Sequence, residues 1–146
     1  MSAAYDLVIF AGPSFGPGLQ SELEQLGYSS RLAADRGQVG DLLSSSGRTL
    51  LFVDARLDPL SFAQPGRVEV VPVGPLDPLV VTDSLRRGAV DWLGVPLVQV
   101  ELVRVLENQR RRVEDEAALR ARLQAEVAAA SPPRSAPVGM DPTEVT

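Results

Sequence analysis

Few residue types in this chain can do covalent chemistry. It has no Cys and no His, and all 14 of its basic residues are Arg. That removes disulfides, Cys/His zinc sites, thiol and imidazole catalysis, Schiff bases and phosphohistidine relay through this chain. The carboxylate in the most suggestive place is Asp54, which closes the apolar run Thr49–Asp54 (TLLFVD). Open α/β sheets bind ligands at the carboxyl ends of their strands. Two roles are open to Asp54: phosphoacceptor, or a cap whose oxygens accept from backbone N–H groups of the following loop. Asp58-Pro59, just beyond, reads as turn chemistry.

Two other segments invite a ligand. Gly12-Pro13-Ser14-Phe15-Gly16-Pro17-Gly18 follows an apolar run and precedes helical spacing, as a phosphate-cradling loop does. It matches neither GxGxxG nor GxxxxGK[ST], and Pro13 and Pro17 remove two N–H donors, so bends permitted by Gly before a helix account for it more simply. Arg110, Arg111 and Arg112 form a basic run, but acids follow at once, which makes a solvated helix face. With a net charge of -5, the chain lacks the basic stripe that a nucleic-acid surface needs.

The elements that must position these residues follow from the hydrophobic pattern. The chain has 146 residues, 45% of them hydrophobic, enough for the core of one domain. Residues 5–11 (YDLVIFA), Thr49–Asp54 and residues 68–73 (VEVVPV) are near-continuously apolar, as parallel strands covered on both faces are. Residues 28–33 and 92–95 are weaker strand candidates. Phe15, Leu19, Leu23 and Leu26 recur at helical spacing and stop at Gly27, while Val39, Leu42 and Leu43 make a shorter stripe before Gly47. Asp77-Pro78 opens a helix that Gly88 ends. The order β-α-β-α-β-x-β-α-β-α implies a doubly wound, five-stranded parallel sheet. The element x, residues 55–67, contains Pro59, Pro65 and Gly66 and is expected to be irregular turns instead of a full crossover helix.

Composition changes after residue 109. Residues 110–130 are rich in Arg, Glu, Ala and Leu and continue the last helix, whereas residues 131–146 (SPPRSAPVGMDPTEVT) have little to bury and read as a disordered tail. Heptads registered on Leu106 place Leu106, Gln109, Val113, Glu116, Arg120, Leu123, Val127 and Ala130 at a and d, which predicts a weak, parallel homodimer through residues 106–130. No run is apolar and long enough to span a bilayer, and the start has no basic n-region, so a cytoplasmic protein without membrane contact is expected.

Five strands with five helices, an Asp ending the third strand and LLFVDARLDP around it resemble the receiver domain of bacterial response regulators, the CheY-like family. Gly88-Ala89, the aromatic Trp92 and Pro96 follow the family's spacing, and the resemblance covers roughly residues 4–109. It implies that Asp54 stands at the phosphoacceptor position. The family's acidic pair, which binds Mg²⁺, falls on Ala11 and Gly12. Its Thr or Ser falls on Val73 or Gly74, and its Lys on Val95. An isolated carboxylate is a poor Mg²⁺ site and leaves a transferred phosphoryl group unneutralised. The expectation is a pseudo-receiver: a non-enzymatic regulatory or scaffolding domain, without cofactor or metal, that acts by protein–protein interaction in bacterial signalling. The family's interaction face maps here onto Arg86, Arg87, Trp92, Val95, Glu101 and Arg104. A conventional phosphoacceptor using Asp54 and a flavodoxin-like small-molecule or nucleotide binder stay open as alternatives.

Overall fold

The apolar runs become the strands of one sheet in a computed structural model of the chain, which describes residues 5–130. The elements are β1 (Asp6–Phe10), α1 (Gly12–Gln25), β2 (Arg31–Leu32), α2 (Arg36–Ser44), β3 (Thr49–Asp54), a 3-10 turn (Pro59–Phe62), β4 (Val68–Gly74), α3 (Pro78–Arg86), β5 (Leu93–Gly94) and α4 (Gln99–Ala130). The sheet is parallel throughout, in the order β2-β1-β3-β4-β5. Strand order therefore reverses between β1 and β3, and the crevice at their carboxyl ends is where such a sheet presents ligands. Ala11, just past β1, and Asp54, closing β3, flank it. The chain divides into two units at Arg110, the first holding the sheet and the second beginning at Arg111 within α4. The tail expected at 131–146 lies outside the described residues.

Every residue of β3 and β4 is buried, which is why these strands read as near-continuous apolar runs. On one sheet face Val8, Phe10, Leu51, Val53, Val68 and Val70 pack with Val39 and Leu43 of α2. Asp35 caps α2 by accepting from the Gln38 backbone N–H at 2.8 Å, and the Gln38 side chain accepts from Ala34 N–H at 2.6 Å. The first bond satisfies a donor that helix geometry leaves over, and the second fixes the residue before the cap. Besides Asp54 at the end of β3, a second carboxylate is buried in the sheet: Glu69, 3% exposed, accepts from the Tyr5 hydroxyl at 3.2 Å and pairs with the Arg48 guanidinium.

The connection between β3 and β4 is irregular, as its prolines demand. Four residues of 3-10 helix bring Phe62 edge-on to Phe10, with ring centroids 5.9 Å apart. The Arg36 guanidinium lies 4.3 Å above the Phe62 ring and donates to Leu57 O at 3.1 Å and Ser61 Oγ at 2.6 Å. A short segment pinned by α2 thus covers ground that a crossover helix would cover.

Several boundaries differ from the sequence reading. The expected loop over residues 12–18 is the start of α1, so the chain presents no Gly-rich loop there. Gly12 opens the helix at φ 66°, a conformation that glycine adopts without penalty. Pro13 falls in the first turn, where its missing N–H costs nothing, but Pro17 sits inside the helix and forfeits a bond, for about 3 kcal/mol. Leu19 and Leu23, both 0% exposed, offset this at about 1.5–3 kcal/mol each. The edge strands shrink to Arg31–Leu32 and Leu93–Gly94. Pro96 does not open the last helix; α4 starts at Gln99.

Candidate functional site

Asp54 is 4% exposed, at the last position of β3 and in register with Val73 of β4. After it the chain turns sharply, with Leu57 N–H donating to Asp54 O at 2.8 Å. This turn returns Arg56 over the Asp54 carboxylate. Oδ1 accepts from the Arg56 backbone N–H at 2.8 Å and from its Nε at 3.1 Å, and Oδ2 accepts from Nη2 at 2.7 Å. The guanidinium engages both oxygens side-on, the strongest geometry available to such a pair. Its hydrogen bonds hold the Asp54 carboxyl below the usual carboxylate range, against burial, which pushes the other way. The Arg56 side chain itself is 74% exposed.

Among the described residues, Ala11 and Gly12 on the crevice rim offer Asp54 no second acid. Ala11 is 1% exposed and caps α1 without a side-chain bond, and Gly12 follows it. Among the described residues no group of three or more His, Cys, Asp or Glu side chains is placed to hold a metal ion. The donor set does not fit Mg²⁺: the carboxylate already carries a tethered cation on both oxygens, and a divalent ion would have to displace it and sit beside its charge.

On the other side of Asp54, the end of β4 is closed by an aromatic ring. Gly74 O accepts from Trp92 Nε1 at 3.1 Å and from Val95 N–H at 3.1 Å. A Cβ built on Gly74 would lie 3.0 Å from Ala55 Cβ and 3.4 Å from Trp92 Cζ2. The space that a Thr or Ser side chain would take at this strand end is therefore held by Ala55 and Trp92. Val73, 0% exposed, is core. Val95 is half-buried before Pro96 and supplies its backbone N–H, not a cation.

With that geometry in place, likeness to known structures becomes informative. Full-length FixJ from B. japonicum superposes with a TM-score of 0.67 at 22% identity, over 90% of this chain and 71% of that one. The receiver domain of a DNA binding response regulator (merR) from Colwellia psychrerythraea 34H gives 0.58 at 20% identity, over 71% and 97%. The fold is that of a receiver domain. NtrX from Brucella abortus, in complex with ADP, gives 0.66 at 19% identity over 80% of this chain, which spans only 29% of the length of that protein. No protein-family model and no curated protein sequence matches the chain.

In this receiver fold the structure distributes the expected interaction face unevenly. Arg86 ends α3 and is exposed; Arg87 caps it and pairs with Asp83 at 3.3 Å on the surface. Glu101 and Arg104, on the first turns of α4, pair at 3.0 Å, and Arg104 also reaches Asp91 at 3.3 Å. Trp92 does not belong to this surface: it is 4% exposed and spends its N–H inside. The sequence reading instead missed the apolar members of these elements. None of the nine residues of α3 is buried, and Leu76, Leu79 and Val80 are 71%, 83% and 47% exposed. Their signal was Leu79-Val80-Val81 beside Leu85, an apolar set without one clean helical stripe. Arg56 was also missed; a basic residue two places after a strand-ending Asp was the available cue.

Proposed function

We propose that this receiver-fold domain is a non-catalytic regulatory or scaffolding module that works in bacterial signalling through protein–protein contact. The observation that carries this reading is the Asp54 carboxylate, engaged on both oxygens by Arg56 where a phosphoacceptor would need a metal. A phosphoryl group on Asp54 would have no lysine to pair with, since the chain contains none, and at Val73 and Gly74 no hydroxyl to follow it. The output surface is the one built by α3, β5 and the start of α4, where Arg86, Arg87, Glu101 and Arg104 accompany the exposed Leu76, Leu79, Val80 and Val100. Apolar side chains with charged neighbours suit a protein partner. Weak self-association through α4 is a second part of the same reading.

Incubation of the full chain with acetyl phosphate and Mg²⁺, read by intact mass, tests it. The expected result is no phosphoryl adduct on the wild type and, correspondingly, function retained in Asp54→Ala. A stoichiometric adduct that disappears in Asp54→Asn would replace this reading with that of a conventional phosphoacceptor.

A further inference from the structure

The second half of α4 carries an apolar seam on a helix whose residues are almost all exposed. Leu119, Leu123 and Val127 are 50%, 52% and 64% exposed, and Val113 is partly so. The seam is interrupted by two charges, Glu116 and Arg120, at heptad positions d and a. Seam charges cost affinity where they meet their like, and so decide which arrangements of two helices are allowed.

In a parallel pair every a or d residue meets its own copy. Val113, Leu123 and Val127 then stack on themselves, but Glu116 also meets Glu116 and Arg120 meets Arg120, giving two like-charged layers in one short seam. The flanking positions do not compensate: Arg112 faces Ala117, and Leu119 faces Gln124. In an antiparallel pair an a residue meets a d residue instead. Centring the overlap on Ala118 sets Val113 against Leu123 of the second copy and Glu116 against its Arg120. The flanking g positions then bring Arg112 beside Glu126 of the second copy, and Leu119 beside its own counterpart. Symmetry makes each of these hetero-pairs occur twice. Within one helix Glu116 already sits 3.7 Å from Arg112.

We infer that this chain pairs with a second copy of itself through antiparallel helices over residues 110–126, with Glu116 of each copy on Arg120 of the other. The inference rests on the self-association proposed above and replaces the parallel orientation that the apolar seam alone suggests.

The chain has no cysteine, so introduced thiols report orientation without background. Full-length Val113→Cys and Leu123→Cys chains are prepared separately, mixed and oxidised. In the antiparallel pair position 113 faces position 123 of the second copy, while the two 113 positions are ~15 Å apart along the axis at ~1.5 Å per residue. A disulfide needs Cα atoms within about 7 Å. The mixture should therefore give the mixed disulfide, and Val113→Cys alone should stay reduced. Efficient disulfide formation by Val113→Cys alone would overturn the inference while leaving the dimer in place. Sedimentation velocity on uncrosslinked chains supplies the second readout. Arg120→Glu should weaken dimerisation by at least about tenfold, and Glu116→Arg with Arg120→Glu should restore it. In a parallel pair the single reversal only exchanges one like-charged layer for another, so an unchanged dissociation constant counts against the inference. A wild-type chain that stays monomeric at every concentration would overturn both the inference and the self-association on which it rests.

Discussion

Replacing Gly74 with Ala should destabilise the sheet domain more than the same change at Gly94, although Gly94 has the closer neighbour. A Cβ at Gly94 would lie 2.7 Å from Leu76 Cγ, and one at Gly74 would lie 3.0 Å from Ala55 Cβ and 3.4 Å from Trp92 Cζ2. Distance alone ranks the two sites the wrong way. Leu76 is 71% exposed and can swing into water, so the clash at Gly94 relaxes at little cost. Neither neighbour of Gly74 can do so. Ala55 Cβ is carried directly by the turn that follows Asp54, and Trp92 is 4% exposed with its Nε1 donating to Gly74 O. Overpacking at a site that cannot relax costs about 1–3 kcal/mol. Both glycines have ordinary backbone angles, so Ala also removes unfolded-state entropy worth about 0.4–1 kcal/mol. The expected balance is a loss of about 0.5–2 kcal/mol for Gly74→Ala and a change within about 0.5 kcal/mol for Gly94→Ala. Urea denaturation followed by circular dichroism measures both, and the fluorescence of Trp92, the one Trp in the chain, reports the Gly74 site directly. At about 4 °C per kcal/mol for a domain of this size, the Tm difference is resolvable. If Gly94→Ala costs as much as Gly74→Ala, or if Gly74→Ala stabilises, Trp92 is not held as described.

Arg56→Ala should raise the Asp54 carboxyl, because burial would then be opposed only by the backbone N–H of residue 56; carboxyl titration by NMR reads this, and an unmoved value would mean that the Arg56 guanidinium is not its controlling partner. In the wild type the folded-state value lies below the ordinary 3.8, so ionised Asp54 stabilises the fold above that pH, and this share is lost as the pH falls through the folded-state value. The advantage of the wild type over Arg56→Ala in denaturation should accordingly shrink on acidification, and a gap that widens instead would contradict the sign. Millimolar Mg²⁺ should leave the Tm unchanged, and a saturable rise abolished by Asp54→Asn would show a specific site after all. Asp35→Ala removes the cap on α2 and should cost about 1 kcal/mol in the same denaturation experiment; a neutral result would assign capping to Gln38 alone.

How far the sequence reaches is plain from particular elements. β1, β3 and β4 were legible because strands buried on both faces are made almost wholly of apolar residues, and Asp54 stood out because it ends such a run. The irregular β3–β4 connection was legible from Pro59, Pro65 and Gly66, whose backbone limits act locally. The edge strands were overread, since two residues paired on one side leave a faint pattern.

Other features exist only once the chain is folded. Local signals at Gly12, Pro13 and Pro17 read as a loop, yet the burial of Leu19 and Leu23 draws the segment into α1. Trp92 looked like a surface anchor, but the close approach at Gly74 gives its ring a slot and its N–H a buried acceptor. The sequence by itself determined that an Asp would end β3 in a chain that contains no lysine. Only the tertiary structure decided that Arg56 would occupy that Asp, because a side-on guanidinium–carboxylate pair depends on the turn at residues 54–57, and that turn is set by hydrogen bonds across the sheet and back onto Asp54.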